Sequence, residues 1–214
     1  MKKILISIFI FSSSSFYLTA QENDFQSWHS MSLKKEINKT TDFNLKAGVR
    51  FRENSSLFDK NFIDLRCKKE LNKRISISVG YRYINSCNRE FILLKQNRFY
   101  FDLNYKNKFS KRLSYSIRNR WQNQTSIYKY ERVFRQKFSL EYNVRKTKIT
   151  PYCAVEYFSN SFDQINKLRS TIVLSYPISK DIDIDFAYRI QNEFLVNNPQ
   201  TIFIFESKIS YSLK

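Results

Sequence analysis

The sequence offers few residues of the kinds that carry out hydrolysis. His29 is the one histidine among 214 residues, and a nucleophile–base pair acting on a lipid would have to be built on it. Nothing in the sequence places a serine or an acid beside His29, so we predict no catalytic residue. P-loops, dinucleotide fingerprints and metal-ligand clusters are missing from the sequence too, and we predict no cofactor and no metal. A lipid-directed hydrolase stays an alternative that depends on His29.

Charged residues occur at every second position along many segments. Arg118 and Arg120, for example, alternate with Ile117 and Trp121. A period of two is typical of β-strands, whose successive side chains point to opposite faces. One face of each strand is therefore apolar and aromatic, and the other is charged. On the charged face we place these candidates for lining an enclosed lumen: Arg50, Arg52, Arg66, Arg82, Arg98, Arg118, Arg120, Arg135, Arg169, Arg189, Glu141, Glu156, Asp183, Asp185 and Glu206.

The charges on this face allow two interpretations. Over the whole chain the face receives 13 basic and 8 acidic side chains. In a narrow lumen these charges must form pairs or keep their water. They can fill the lumen as an ion-pair network, or they can line a small passage that prefers anions, since the excess is basic. Asp183 and Asp185 lie two residues apart and could do acid–base chemistry, but we expect them to pair with arginines.

The alternation recurs along the chain and predicts an all-β fold: a single antiparallel transmembrane barrel of about 10–12 strands. Ten clear strands follow from Phe43 onwards, and a weaker one lies near Trp28. Each is about ten residues long, as a tilted strand needs to cross a bilayer. The connections are predicted to alternate between short turns at one end and longer loops at the other, as in outer-membrane barrels. A soluble secreted β protein that binds a small ligand would alternate in the same way, and it stays an alternative.

The N-terminus resembles a secretory signal peptide. Lys2 and Lys3 precede an apolar run from Ile4 to Phe11, and cleavage is predicted near Ala20. We therefore predict a signal peptide over residues 1–20, one barrel domain over 21–214, and a location in the outer membrane of a Gram-negative bacterium. The three cysteines lie far apart and form no disulfide framework.

The predicted short turns are strongly basic. The windows 34–40, 68–74, 106–112, 145–148 and 177–181 contain 15 Lys or Arg and 3 acidic residues, whereas the predicted long loops contain 3 basic and 5 acidic residues. The basic residues do not form one patch with interleaved aromatics, so we expect no nucleic-acid partner. We expect periplasmic turns that contact outer-membrane lipid, anionic headgroups or cell wall; a solvated rim is the alternative. The candidates are Lys106, Lys108, Lys111 and Arg112.

Several short segments also resemble a known family of outer-membrane barrels, grouped as domain of unknown function 2490. They follow one another in order along nearly all of the chain after the signal peptide. The segments are Trp28, GVRFRE at 48–53, GYRY at 80–83, RNRWQ at 118–122, RVFRQKFSLEYN at 132–143, PYCAVEYF at 151–158 and LRSTIVLSYPISKDIDIDFAYRIQ at 168–191. The resemblance implies a barrel in the outer membrane and implies no activity. Our leading interpretation is a non-enzymatic narrow barrel, either structural or passing small solutes and anions.

Overall fold

A computed structural model describes residues 22–88, 90, 92–126, 130–160 and 164–213. The predicted signal peptide lies outside the described residues, as does Ala20 at its cleavage site. No helix in the described ranges is long and apolar enough to cross a membrane.

Eleven β-strands form one closed barrel in which sequence neighbours are antiparallel. The fold class predicted from the alternation is confirmed. The strands are β1 (Glu22–Asn38), β2 (Thr41–Arg52), β3 (Leu57–Glu70), β4 (Ile75–Cys87), β5 (Leu93–Lys108), β6 (Leu113–Ser126), β7 (Tyr130–Tyr142), β8 (Thr150–Asn160), β9 (Gln164–Pro177), β10 (Ile182–Glu193) and β11 (Gln200–Leu213).

The barrel closes through a parallel pair, β1 against β11. This pair runs from Glu22 opposite Gln200 to Lys35 opposite Leu213. The weak segment near Trp28 is therefore part of a full wall strand, and the strand number is odd although single-chain bacterial barrels prefer even numbers. A consequence of the odd number is that β1 begins at one end of the barrel and β11 finishes at the other.

The strands extend further than the sequence pattern predicts. At the end that holds residues 39–40, 71–74, 109–112, 143–149 and 178–181, which we call the basic end, the connections span two to seven residues. At the opposite end, which we call the far end, the two connections that are described throughout, 53–56 and 194–199, span four and six residues. Both lengths lie within the range of the connections at the basic end. The pairing of neighbouring strands continues into segments whose polar composition indicated loops.

The two faces of the wall differ as the alternation predicts. Outward side chains such as Phe99, Val79 and Ile172 are 61%, 56% and 62% exposed, whereas inward Asp102 and Ile204 are 1% and 0% exposed. An isolated wall that exposes its apolar residues and encloses its charged ones is suited to a lipid environment, because the hydrophobic effect would otherwise favour the reverse.

The two glycines of the chain make room for aromatic rings inside the barrel. A Cβ atom at Gly80 would lie 2.1 Å from Cζ of Tyr100, and one at Gly48 would lie 2.6 Å from Cζ of Phe62. Gly48 is paired with Phe62 on β3, and Gly80 is paired with Tyr100 on β5. The missing side chains therefore allow two rings to lie flat against the wall, which keeps them from filling the centre of the lumen.

Candidate functional site: a basic lumen

The barrel encloses a cavity of about 610 Å³ that is lined by side chains from all eleven strands. Its charged lining is mostly cationic, with 13 basic and 6 acidic residues, an excess of 13 − 6 = 7 positive charges. The basic residues are Lys46, Arg50, Lys60, Arg66, Arg82, Arg98, Arg118, Arg120, Arg135, Lys137, Lys167, Arg169 and Arg189. The acidic residues are Asp59, Asp64, Glu131, Glu156, Glu193 and Glu206.

The structure places eleven of the fifteen predicted lumen residues on the cavity wall, and four outside it. Arg52 lies at the far end of β2, where it donates a hydrogen bond to the carbonyl oxygen of Asn88 at 3.0 Å. Glu141, Asp183 and Asp185 lie within four residues of the basic-end termini of β7 and β10. Side-chain parity identifies the face of a strand but not the height along the barrel, and these four positions lie near the rims.

One carboxylate in the lumen wall, that of Glu156, forms ion pairs with three arginines. Glu156 on β8 is 4% exposed. Its Oε1 accepts from Arg118 at 2.6 Å and from Arg135 at 2.9 Å, and its Oε2 lies 3.6 Å from Arg169. The three guanidinium groups come from β6, β7 and β9. Such a cluster requires its carboxylate, because without it three buried positive charges would face one another.

Three more acids form separate pairs around the lumen. Asp102 accepts two hydrogen bonds from Arg120, at 2.6 and 2.7 Å. Asp64 accepts from Arg82 at 2.7 Å and from the Tyr100 hydroxyl at 2.8 Å. Glu206 pairs with Arg189 and lies 3.7 Å from Nζ of Lys46. These bonds correspond to the ion-pair network that is one of the two sequence interpretations, and they account for part of the charge.

Four cations of the cavity wall have no carboxylate within 4 Å among the described residues. Arg50, Arg66, Arg98 and Lys137 make no ion pair there. Arg98 instead donates to the side-chain amide oxygen of Gln124. Cations that are enclosed without a counter-charge are costly unless water or a mobile anion compensates them. The second interpretation, a lumen that attracts anions, rests on these four residues.

Aromatic rings on the lumen side hold several guanidinium groups flat against the wall. The centres of the rings and the guanidinium carbons are 3.6 Å apart for Trp28 and Arg50, 3.9 Å for Tyr100 and Arg120, and 4.5 Å for Phe158 and Arg135. Stacking of this kind stabilises a cation without neutralising it. Trp28 and Phe158 were not among the predicted lumen residues, although Phe158 has the same parity as Glu156 on the same strand.

His29 lies on the outward face of β1, next to a serine that is far away in sequence. Its Nδ1 is 2.8 Å from Oγ of Ser207 on β11, across the closing pair. A hydrolytic His–Ser pair also needs a third group that orients the imidazole. No hydrogen bond joins the other ring nitrogen of His29 to any described residue. The hydrogen bond satisfies two polar side chains on an apolar surface, and no described residue completes a triad.

The candidate residues of the basic end differ in their surroundings. Lys106 pairs with Glu141 at 3.1 Å, and both side chains are about half exposed. Lys108, Lys111 and Arg112 make no ion pair with any described residue. The pairs Lys106–Glu141 and Lys208–Asp185 are not part of the cavity lining.

Comparison with solved structures shows a porin-like fold. The NanC porin matches with a TM-score of 0.53 and 12% identity, covering 84% of this chain and 93% of that chain. The KdgM porin matches with a TM-score of 0.51 and 13% identity, covering 78% and 91%. A structure described as the KdgM porin in complex with disordered oligogalacturonate matches with a TM-score of 0.51 and 14% identity, covering 78% and 91%.

Sequence comparison identifies the family. A search among curated proteins found no significant match. The family model described as "Protein of unknown function (DUF2490)" matches residues 25–201, which include all of β2 to β10 and parts of β1 and β11. This confirms the resemblance noted in the sequence, and the chain belongs to the DUF2490 family.

Proposed function

We propose that the protein is a non-enzymatic channel in a bacterial outer membrane, and that its lumen passes small anionic solutes. The observation that carries the proposal is a set of four lumen cations that have no carboxylate partner among the described residues: Arg50, Arg66, Arg98 and Lys137. A low-dielectric wall around unpaired positive charge raises the local concentration of anions and excludes cations. The apolar outward surface and the porin-like fold support a membrane location and a role in passage.

The test is the conductance of the purified protein in a planar bilayer, with a salt gradient across it. We expect discrete channel openings and a reversal potential that indicates anion preference, because the lining carries seven more positive than negative charges. A folded, heat-modifiable barrel that shows no channel openings would contradict the proposal. A channel that prefers cations would contradict it too.

A lipid-directed hydrolase is the second candidate, and the contact between His29 and Ser207 favours it. Transfer of the Ser207 proton to His29 would generate a nucleophile on the lipid-facing surface. We expect the protein in mixed micelles to release no fatty acid from phospholipid above the level of a His29→Ala/Ser207→Ala variant, since no described group orients the imidazole. If the protein does release fatty acid, and if Ser207→Ala and His29→Ala each abolish that release, the hydrolase would be established instead.

A further inference from the structure

A groove runs along the outward face of the barrel across β6, β7, β8 and β9. It has a volume of about 430 Å³ and is lined by apolar side chains together with the small residues of the wall beneath them. It forms where residues paired side by side on these four strands change from large to small outward side chains, in two rows across the wall. In one row Tyr115, Leu140, Cys153 and Ile172 are paired in turn, and in the other Ile117, Phe138, Val155 and Ser170 are paired in turn. Cys153, Val155 and Ser170 leave the space that larger side chains would fill.

Phe109 joins this groove to the basic end. It lies in the connection between β5 and β6, lines the groove and packs against Tyr115 with ring centroids 4.5 Å apart. Lys108 ends β5 directly before Phe109, and Lys111 and Arg112 follow Phe109 in the same connection. The apolar groove therefore ends at a residue that has three cations within three positions of it in the chain.

The next connection adds more positive charge at the same place. The backbone N–H of Asn143 donates to the carbonyl oxygen of Arg112 at 2.9 Å, so the connection 143–149 lies directly beside the connection 109–112. It contains Arg145, Lys146 and Lys148. None of these three, and none of the three cations beside Phe109, forms an ion pair with a described residue. Six cations are thus available for an external anion at one end of the groove.

We propose that this groove is a binding site for an anionic glycerophospholipid of the surrounding bilayer. One acyl chain lies in the groove, and the phosphate contacts Lys108, Lys111 and Arg112. The groove is apolar, so it suits a hydrocarbon chain, and the cations lie at its end, where a headgroup would be. Soluble polyanions such as cell-wall carboxylates would use the cations but have no part that fits the groove.

The site can be tested by photo-crosslinking in nanodiscs. The protein is reconstituted in phosphatidylcholine that contains a small fraction of a probe lipid with a diazirine in its acyl chain. The probe is phosphatidylglycerol in one sample and phosphatidylcholine in the other, at the same mole fraction. Crosslinks are mapped by mass spectrometry to residues such as Ile117, Phe138 and Val155. We expect roughly tenfold more crosslinking in the groove from phosphatidylglycerol, because several lysines and arginines face its charge. Equal crosslinking from the two lipids would overturn the proposal.

Two variants and a matched control separate the site from general attraction to the basic end. Lys108→Gln/Lys111→Gln/Arg112→Gln should remove the preference for phosphatidylglycerol, and Ser170→Trp should remove groove crosslinks by filling the space. The control Lys69→Gln/Lys73→Gln/Arg74→Gln removes three cations from the end of β3 and the connection that follows it, at the same end of the barrel, and should keep the preference. Equal loss in the control would overturn the site in favour of diffuse attraction. Displacement of the lipid probe by soluble cell-wall fragments, without groove crosslinks, would overturn it in favour of a cell-wall contact.

Discussion

Replacing Arg50, Arg98 and Lys137 by glutamine is expected to lower the anion-over-cation permeability ratio of the channel by roughly tenfold. Each of these cations lines the lumen without a carboxylate partner among the described residues, so its charge acts on a passing ion without local neutralisation. A unit charge about 8 Å away in water contributes about 0.5 kcal/mol, and three such charges contribute about 1.5 kcal/mol. Glutamine removes the positive charge and keeps a polar, hydrogen-bonding side chain on the wall.

The measurement is the reversal potential in a salt gradient at low ionic strength, where screening is weakest. A matched control removes three exposed cations of the basic end, with Lys39→Gln, Lys73→Gln and Lys180→Gln. These charges lie in connections outside the lumen and are screened by solvent, so we expect a change below about twofold. If the lumen variant folds and keeps the selectivity of the wild type, the charges of Arg50, Arg98 and Lys137 do not determine which ions pass.

Replacing Glu156 by glutamine is expected to destabilise the barrel by about 3 kcal/mol or more. Glu156 is the shared acceptor of Arg118, Arg135 and Arg169, and its removal leaves three enclosed guanidinium groups without their counter-charge. The expected change is large because breaking a buried ion pair costs more than the pair itself contributes. Because the lumen loses one negative charge, we also expect the variant channel to prefer anions more strongly than the wild type.

Urea unfolding of the reconstituted protein, followed by the loss of heat-modifiable mobility on gels, measures this destabilisation. Glu141→Gln is the control, because its pair with Lys106 lies at the rim with side chains that are 43% and 55% exposed. Exposed pairs of this kind contribute about 1 kcal/mol or less. A second change, Arg118→Gln in the Glu156→Gln background, should restore part of the lost stability by removing one repelling charge. Equal midpoints for Glu156→Gln and Glu141→Gln would mean that water already compensates the cluster.

The sequence by itself determined the two faces of the wall. Alternation is local, because successive side chains of a strand point to opposite sides whatever the strand pairs with. The inward positions of Arg118, Arg120 and Glu156, and the outward positions of Phe99 and Ile172, were therefore predictable from neighbours in the chain. The basic excess of the lumen followed from the same parity.

Only the tertiary structure decided how the barrel closes, how high along the barrel each residue lies, and which charged side chains form pairs. The parallel pair of β1 and β11 makes a full wall strand of the weak N-terminal segment, and it brings His29 against Ser207, which lies 178 residues away in sequence. Register along the barrel places Arg52 and Asp183 near the rims, although their parity is that of the lumen. It also gathers three arginines around Glu156, while Arg50 has no acidic partner in the described part of the chain. These features depend on which strands pair and in what register, and local periodicity does not identify partners that lie far apart in the chain.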